Sequence, residues 1–364
     1  KIGCAGAETR RYNARRPTPV KGKFMIEKIA VFGTGANGSC IAANLIDAGL
    51  DVTLIDQWPE HVNAMREAGL LIRMPEEELQ VEVGAHHLCD VAGFTEPFDL
   101  IIIAVKAYDT RWTAMLAAPH LAEGGLMIGI QNAMTAGDIL GIVGPQRTLG
   151  CVIELSSEIF TPGLVQRNTP PAKTWLGLGC LDGGPKERLE EVQEILGHVG
   201  TAAISDDILS AKWMKLVVNT MCLGPMAMLG LTQQEAAKLP GMRDLAVRIG
   251  TEALAAGQTR GHKIEPIFGL KPEDVADTNR LLEKLLDKLF GDIGPKARDC
   301  VLQDHLKGRY SEVDQINGLV VQDARERGAS ATANAVIVEI TGRIRAGELQ
   351  PSPNNLELAL EMLG

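Results

Sequence analysis

The feature that most constrains the fold is a glycine-rich turn between an apolar strand pattern and a helix pattern. The residues Gly33-Thr34-Gly35-Ala36-Asn37-Gly38 follow the apolar run 29–32 and precede a helical pattern over 39–48. In such a unit the first glycine permits a tight turn, the second lets a pyrophosphate approach the backbone, and the third lets helix and strand pack closely. The helix N-terminus adds free N–H groups and a partial positive charge. The pattern therefore predicts a dinucleotide site, with binding residues Gly33, Gly35, Ala36, Asn37 and Gly38.

An acidic residue follows this turn at the spacing that a dinucleotide site needs. A second apolar run, 52–55, ends at Asp56, which lies 23 residues beyond Gly33. A carboxylate there accepts hydrogen bonds from the adenosine ribose and repels a 2′-phosphate, so Asp56 favours NAD(H) over NADP(H). A second interpretation stays open, in which Asp56 caps the turn that follows it.

The rest of the chain divides into two patterns, which predict an α/β domain followed by a helical one. Apolar runs alternating with helix patterns indicate a Rossmann-type domain over 25–206, built on a parallel sheet. We predict strands at 28–32, 52–55, 100–105, 126–130 and 148–153, further strands at 164–167, 175–178 and 201–204 along one edge of the sheet, and a helix near 186–198. An all-helical domain is predicted over 207–350, with helices at 208–223, 243–260, 272–290, 297–307, 311–327 and 332–345. The tail, 351–364, is expected to pack on the body or on a second subunit.

Composition and charge exclude several classes of protein. A hydrophobic content of 45% with 23% charged residues is not that of a largely disordered chain, and the apolar runs are too short to span a membrane. Seven scattered cysteines without a C-x-x-C pair argue against a disulfide framework and against a metal site. No basic stripe with interleaved aromatic residues indicates nucleic acid as a partner. We expect a cytoplasmic homodimer.

The first 24 residues differ in charge from the remainder. They carry seven basic residues and only Glu8 as an acid, a net charge of +6, whereas the whole chain has −10 and the rest therefore −16. We interpret residues 1–24 as a disordered leader or an upstream extension before Met25, in preference to an organelle-targeting peptide.

Four further polar residues are candidates for the chemistry. Lys106 and Asn132 follow two neighbouring predicted strands, at the edge where open α/β sheets bind ligands, although Lys106 is equally compatible with a solvated loop. Lys215 and Asn219 lie four residues apart, on one face of an apolar helix. A buried ammonium group is costly unless it is partnered or used, but a lysine can also extend its head to water. Periodicity alone leaves both interpretations of Lys215 open.

Taken together, these motifs resemble those of the ketopantoate reductase (2-dehydropantoate 2-reductase) family. The resemblance extends from residue 28 to about 345 and rests on five blocks in the family's order: the glycine turn, Val105-Lys106, Gln131-Asn132, the Lys215…Asn219 helix, and Ser311-Glu312-Val313-Asp314-Gln315-Ile316-Asn317-Gly318. It implies a Rossmann domain joined to an all-helical domain, with the active site in the cleft.

The resemblance also implies a role for each matching residue. Lys215 would be the general acid that protonates the substrate carbonyl, Glu312 would bind a substrate hydroxyl, and Asn219 would help to hold the substrate. Lys106 and Asn132 would contact the nicotinamide ribose and the reacting region, and Asp304 would orient the substrate groups. The alternative for Glu312 is a carboxylate that opens a helix and interacts favourably with its dipole.

The departures from the family pattern concern the substrate more than the cofactor turn. Cys300 replaces the serine that binds the substrate carboxylate, Ala133 replaces a glycine, and Leu223 stands one turn beyond Asn219, where the family has a second asparagine. The family typically uses NADPH, which Asp56 disfavours. We expect an NAD(P)-dependent reductase or dehydrogenase acting on a small 2-keto or 2-hydroxy acid. The alternatives are a true ketopantoate reductase and, from another class, a non-catalytic regulator that senses NAD(H).

Overall fold

The computed structural model describes residues 8–11, 26–276, 280–292, 294 and 296–364, which fall into two compact units. The first unit holds the described residues up to Gln131 together with Thr135–Asp206, and the second holds Asn132–Met134 and Asp207–Gly364. Apart from the short segment Asn132–Met134, the division falls between Asp206 and Asp207.

The first unit contains two β-sheets and the helices that cover them. Its strands are β1 (Glu8–Arg11), β2 (Lys28–Phe32), β3 (Asp51–Asp56), β4 (Leu70–Arg73), β5 (Glu77–Val81), β6 (Gly84–His87), β7 (Phe98–Ile103), β8 (Leu121–Gly129), β9 (Thr148–Glu154), β10 (Ser157–Thr161), β11 (Leu164–Arg167), β12 (Trp175–Cys180) and β13 (Thr201–Ile204). Its α-helices are α1 (Ala36–Asp47), α2 (Pro59–Ala68), α3 (Thr110–Ala117), α4 (Ala136–Val143) and α5 (Leu189–Leu196).

The larger sheet has eight strands in the order β13-β12-β9-β8-β7-β2-β3-β6. Six neighbouring strands run parallel to one another, namely β9, β8, β7, β2, β3 and β6, and β12 is antiparallel to β9. The direction in which strands are added to the sheet reverses at β2, because β3 lies on one side of it and β7 on the other. The crevice at the carboxyl ends of β2 and β7 is where open α/β sheets bind ligands. The predicted Rossmann-type fold is confirmed.

The central strands of this sheet are mainly apolar because both of its faces are covered. Ile29 and Val31 of β2 belong to a core shared with α1 and α5, whereas Ala30 and Phe32 face a second core with α3 and α4. Alternate side chains of a strand point to opposite faces, so a doubly covered strand has no polar position in its middle.

The smaller sheet differs from what the sequence predicts. Its order is β1-β5-β4-β11-β10, so β11 (Leu164–Arg167) does not extend the edge of the main sheet, although β12 and β13 do. Helix α1 packs between the two sheets. The fully buried Arg167 anchors β11, because its guanidinium donates to the Thr169 and Val199 carbonyls and to the Thr174 hydroxyl. The sheet is a separate layer because β11 pairs with β4, and β10 with β11, on the outer side of α1.

One part of the predicted leader has regular structure. Strand β1 pairs in parallel with β5, from Glu8 opposite Glu77 to Arg11 opposite Gln80, whereas no strand is predicted at residues 8–11. The other residues of 1–24 lie outside the described residues, so their predicted disorder stays a prediction.

The second unit is helical. Its helices are α6 (Ile208–Ala227), α7 (Gln233–Ala236), α8 (Met242–Thr259), α9 (Pro272–Val275), α10 (Leu281–Asp292), α11 (Cys300–Leu306), α12 (Val313–Glu326), α13 (Thr332–Arg345) and α14 (Asn354–Leu363). Helix α6 is central, packing against α8, α11, α12 and α13. The tail packs on this unit, since the Asn355 side chain donates to the Met228 carbonyl at 2.8 Å.

Helix α6 continues past the residues that the sequence indicates as a break. The predicted end is Leu223, before Gly224 and Pro225, but the helix runs to Ala227 with Pro225 inside it. Gly224 serves packing, because a Cβ there would lie 2.8 Å from Cγ2 of Ile337. Close contact with α13 stabilises the segment despite the hydrogen bond that a proline removes.

Three other predicted helices have different bounds. The predicted helix 272–290 is two helices, α9 and α10, separated by a segment that includes residues outside the described part. The predicted helix 297–307 begins at Cys300 because the Asp299 carboxylate caps it, accepting the N–H groups of Val301 and Leu302 at 2.9 Å each. The predicted helix 311–327 begins at Val313, with Glu312 as the N-cap residue.

Within the part of the chain that the structure describes, every helix is too short or too polar to span a lipid bilayer.

Candidate active site

The turn of residues 33–38 is here called the glycine loop. Its three glycines are required for different structural reasons. Gly33 has φ +88°, and a Cβ on it would lie 2.6 Å from Cγ1 of Val105. A Cβ on Gly38 would lie 2.1 Å from the Gly33 carbonyl oxygen. Both positions therefore need glycine for the fold itself.

At position 35 neither the backbone conformation nor a close contact requires glycine. Its φ is −62°, which any residue can adopt, and among the described residues no atom lies within 4 Å of the position where its Cβ would be. It is the N-cap residue of α1 and stands at the helix N-terminus. A glycine with open space at a helix N-terminus fits a backbone that a pyrophosphate approaches closely.

Asp56 is the last residue of β3, and its side chain is buried. One carboxylate oxygen accepts the Trp58 N–H at 2.8 Å, so Asp56 does cap the following turn, while the other oxygen lies 3.5 Å from the Thr34 hydroxyl. Burial raises the pKa of the Asp56 carboxyl above its ordinary value, and the Trp58 N–H opposes that shift. Capping the turn and binding a ribose are compatible, because a carboxylate oxygen accepts more than one hydrogen bond.

The structure adds one residue to this region that the sequence arguments did not single out. His61 of α2 is fully buried, and its Nε2 lies 2.9 Å from the carbonyl oxygen of Thr34 in the glycine loop. Its place on the buried face of α2 with Val62 and Met65 indicates burial, but no sequence motif indicates its contact with the glycine loop.

Asn37 uses its side chain within the first unit. Its Oδ1 accepts a hydrogen bond of 2.6 Å from the hydroxyl of Ser157 in β10. The smaller sheet therefore supports the glycine loop through this side chain.

Lys106 follows β7, the strand that neighbours β2 in the sheet. It is half-buried and is the N-cap residue of a single 3₁₀ turn, Ala107–Asp109. The adjacent Val105 packs on Gly33, so the glycine loop and the loop that carries Lys106 meet at the crevice. The first unit thus brings together the glycine loop, Asp56 and Lys106.

The second unit brings four predicted residues from separate segments into one cluster, here called the polar cluster (Asn132, Asn219, Cys300 and Glu312). The Asn219 amide donates to Asn132 Oδ1 at 3.1 Å. The Asn132 amide lies 3.4 Å from a Glu312 carboxylate oxygen and 3.6 Å from the Cys300 sulfur. The Cys300 thiol lies 3.7 Å from the same Glu312 oxygen. Asn132, predicted at the cofactor, is therefore bonded to residues predicted at the substrate.

Glu312 occupies the N-cap position of α12, but its side chain makes no capping hydrogen bond within the described chain. The carboxylate instead contacts the other residues of the polar cluster. Glu312 is only 4% exposed. This geometry favours a role in the site over the helix-dipole alternative.

Two other predicted residues lie on the helices that form the cluster. Lys215 is half-buried on α6, four residues before Asn219. Asp304 is buried on α11, four residues after Cys300. A separation of four residues places each pair on one helical face.

Ala133, beside the polar cluster, has a strained backbone. Its φ is +63°, in the left-handed region that favours glycine. An alanine therefore stands where a glycine would be relaxed.

The fold and the glycine loop define a dinucleotide-binding protein of the Rossmann type with a second, helical unit. The family model described as "Ketopantoate reductase PanE/ApbA" matches residues 29–179, and "Ketopantoate reductase PanE/ApbA C terminal" matches residues 207–345. Since the two models cover most of the chain, it belongs to the ketopantoate reductase family.

Relatives and solved structures agree with that assignment. The chain is 27% identical to 2-dehydropantoate 2-reductase of Pyrococcus abyssi, covering 85% of this chain and 95% of the relative. It is 28% identical to the Mesorhizobium japonicum 2-dehydropantoate 2-reductase, covering 82% and 91%. Among solved structures, a PanE/ApbA family ketopantoate reductase from Ralstonia eutropha has a TM-score of 0.72 at 24% identity, covering 88% of this chain and 99% of that one.

A structure with a different activity in its name is also similar. D-mandelate dehydrogenase with NADH and anilino(oxo)acetate has a TM-score of 0.78 at 20% identity, covering 88% of this chain and 98% of that one.

The chain is an NAD(P)-dependent oxidoreductase acting on CH–OH groups, with a nicotinamide dinucleotide as cofactor. Membership of this enzyme family argues against the non-catalytic regulator.

Proposed function

We propose that the protein interconverts a small 2-keto acid and the corresponding 2-hydroxy acid, and that its preferred substrate differs from ketopantoate. The observation that carries the proposal is the polar cluster. Its amide, thiol and carboxylate groups lie within hydrogen-bonding distance of one another in the second unit. Asn219 shares α6 with Lys215, and Cys300 shares α11 with Asp304. Such a set of groups can orient a carbonyl and a carboxylate.

The cofactor supplies the hydride when it is bound, and residues of this chain supply the proton. In the direction of reduction, the Lys215 ammonium transfers a proton from Nζ to the carbonyl oxygen while the carbonyl carbon gains the hydride. The neutral amine then regains a proton from solvent. In oxidation, neutral Lys215 accepts the hydroxyl proton. Asn219 and Glu312 hold the substrate oxygens, and Asp304 orients these groups.

The cofactor-binding residues belong to the first unit, apart from Asn132. The glycine loop would hold the pyrophosphate, Asp56 the adenosine ribose, and Lys106 the nicotinamide ribose. Asp56 supports a preference for NAD(H), because its carboxylate is buried next to the loop and would repel a 2′-phosphate.

Two residues support a substrate other than ketopantoate. Cys300 offers a thiol, which is a weak donor, where the family has a hydroxyl, and Leu223 offers no donor where the family has an amide. Leu223 lies one turn beyond Asn219 on α6. Fewer donors favour a 2-keto acid with a less polar substituent, and D-mandelate dehydrogenase shows that a protein of this fold can act on such a compound.

The test is a turnover screen with the purified protein. NADH and NADPH are each offered with ketopantoate, phenylglyoxylate, pyruvate and 2-ketoisovalerate, and oxidation is followed at ~340 nm. We expect NADH oxidation with at least one simple 2-keto acid at a kcat/KM at least about tenfold above that for ketopantoate. If ketopantoate is the best substrate, the protein is a true ketopantoate reductase and the proposed substrate is wrong.

A further inference from the structure

The carbonyl of Thr34, inside the glycine loop, accepts two side-chain hydrogen bonds. The Ser39 hydroxyl donates to it at 2.6 Å, and Nε2 of His61 lies 2.9 Å from it. Thr34, Ser39 and His61 are all fully buried. A loop carbonyl held by two buried donors has a fixed orientation.

The tautomer of His61 follows from its other contact. The N–H of Gly163, in the turn between β10 and β11, donates to Nδ1 of His61 at 2.9 Å. Nδ1 is therefore the acceptor, so in the neutral ring the proton is on Nε2 and points to the Thr34 carbonyl. Burial lowers the pKa of His61 below its ordinary value, which keeps the ring neutral, while the nearby Asp56 carboxylate opposes that shift.

The orientation of one peptide group in the loop depends on this arrangement. The Thr34 carbonyl and the Gly35 N–H belong to the same planar trans peptide, so they point in opposite directions. Holding the carbonyl toward His61 aims the Gly35 N–H away from α2. Gly35 is the residue of the loop with open space around its Cβ position.

We propose that His61 is a positioning residue for the cofactor, which fixes the Thr34–Gly35 peptide so that the Gly35 N–H is presented to the pyrophosphate. The proposal rests on the glycine loop being the pyrophosphate site, as proposed above. It goes beyond that function, because His61 acts through the loop backbone.

A matched pair of variants separates the two hydrogen bonds of His61. His61→Gln can place an amide N–H near the position of Nε2 and keep the donation to Thr34, whereas His61→Asn can place an oxygen near Nδ1 and keep only the bond from Gly163. The ligands are ADP-ribose, which contains the pyrophosphate, and adenosine, which does not. Binding is measured by calorimetry, with adenosine measured by competition.

We expect His61→Asn to weaken ADP-ribose binding about fivefold to tenfold, the size of one net hydrogen bond. His61→Gln should remain within about twofold of the unchanged protein, and adenosine binding should change in neither variant. The proposal is overturned if both variants lose ADP-ribose affinity equally, if neither does, or if adenosine affinity falls in parallel.

Two further variants keep the test decisive. If His61→Asn does not fold, Ser39→Ala removes the other donor to Thr34 and should weaken ADP-ribose binding at least about threefold without changing adenosine binding. Unchanged affinity for ADP-ribose would overturn the proposal.

Gly35→Val fills the open space of the loop and should abolish ADP-ribose binding. If it does not, the loop is not the pyrophosphate site, and the proposed cofactor site and this inference are both wrong. If Gly35→Val abolishes binding but His61→Asn has no effect, only this inference is wrong.

Discussion

The glycine loop and the polar cluster are built in different ways. The loop lies within six consecutive residues and presents backbone N–H groups, and its shape follows from glycines that the fold requires at Gly33 and Gly38. The polar cluster takes one side chain from each of four segments that are as much as 180 residues apart. A binding site made of backbone groups tolerates few substitutions, because its geometry depends on the fold itself. In a site made of side chains, single substitutions can change the chemistry and leave the fold intact.

This difference agrees with the departures from the family pattern that we expect from the sequence. The glycine loop keeps its three glycines, while Cys300 and Leu223, on helices of the second unit, stand where we expect the family to have polar groups. We infer that the cofactor machinery is retained and that substrate recognition has changed. The following predictions test the two regions separately.

The largest effect is expected at Lys215, on the helix that carries Asn219. Lys215→Ala should lower kcat by about 10²–10⁴, the usual effect of removing a positioned general acid, and should change the Kd for NADH by less than about twofold. Steady-state kinetics with the best substrate of the screen, together with NADH fluorescence titration, measures both. Lys238→Ala, at an exposed position just after α7, is the control and should change neither value. Normal turnover in the Lys215 variant would assign the proton transfer to another group.

The next effect concerns the choice of cofactor. Asp56→Ala should reduce the preference for NADH over NADPH by at least about tenfold, because repulsion between a carboxylate and a 2′-phosphate amounts to ~1–4 kcal/mol. Asp51→Ala, at the exposed start of the same strand, should leave the preference unchanged. The Kd values for both nucleotides are measured by fluorescence. Tighter binding of NADPH by the unchanged protein would contradict the role given to Asp56.

The two kinds of glycine in the loop should respond differently to a methyl group. Gly38→Ala should lower the free energy of unfolding by about 1–3 kcal/mol, because its Cβ would overlap the Gly33 carbonyl. Gly35→Ala should change that free energy by less than about 0.5 kcal/mol while weakening NADH binding. Urea denaturation and nucleotide titration separate the two results. Equal destabilisation by both substitutions would show that Gly35 is also needed for the fold.

The smallest effect is expected beside the polar cluster. Ala133→Gly should raise the free energy of unfolding by about 0.5–1 kcal/mol, because glycine relieves the left-handed backbone at φ +63°. Ala335→Gly, inside α13, is the control and should lower it by about 1 kcal/mol. Urea denaturation of both variants provides the comparison. A loss of stability in the Ala133 variant would mean that the methyl group contributes more by packing than the backbone strain costs.

Much of the fold could be predicted because the relevant signals are local. Strands β2, β11 and β13 and helix α13 have the bounds that periodicity predicts, and the glycine loop was identified from its spacing. The sequence did not predict the smaller sheet, because strand pairing depends on contacts between distant segments. For the same reason the sequence did not predict that α6 continues through Pro225, because this depends on packing against other helices.

The site was predictable to a different extent in the two units. Spacing and strand ends identify the glycine loop, Asp56 and Lys106 without reference to a family. Glu312, Cys300 and Asp304 were found only through the resemblance, because no local pattern links residues 132, 219, 300 and 312. His61 was missed because a single buried histidine in a helix has no motif, and its significance appears only from its contact with the Thr34 carbonyl.

The most direct test of the central claim introduces, at positions 300 and 223, the two polar groups that we expect in the family. The double variant Cys300→Ser with Leu223→Asn is compared with the unchanged protein for ketopantoate reduction, with a 2-dehydropantoate 2-reductase run in the same assay. Each buried group left without a partner costs ~1–3 kcal/mol. We therefore predict that kcat/KM for ketopantoate rises by about 10² or more, with the Kd for NADH unchanged. If the unchanged protein already matches the dedicated reductase, or if a folded double variant gains nothing, substrate recognition has not changed at these residues and the account is contradicted.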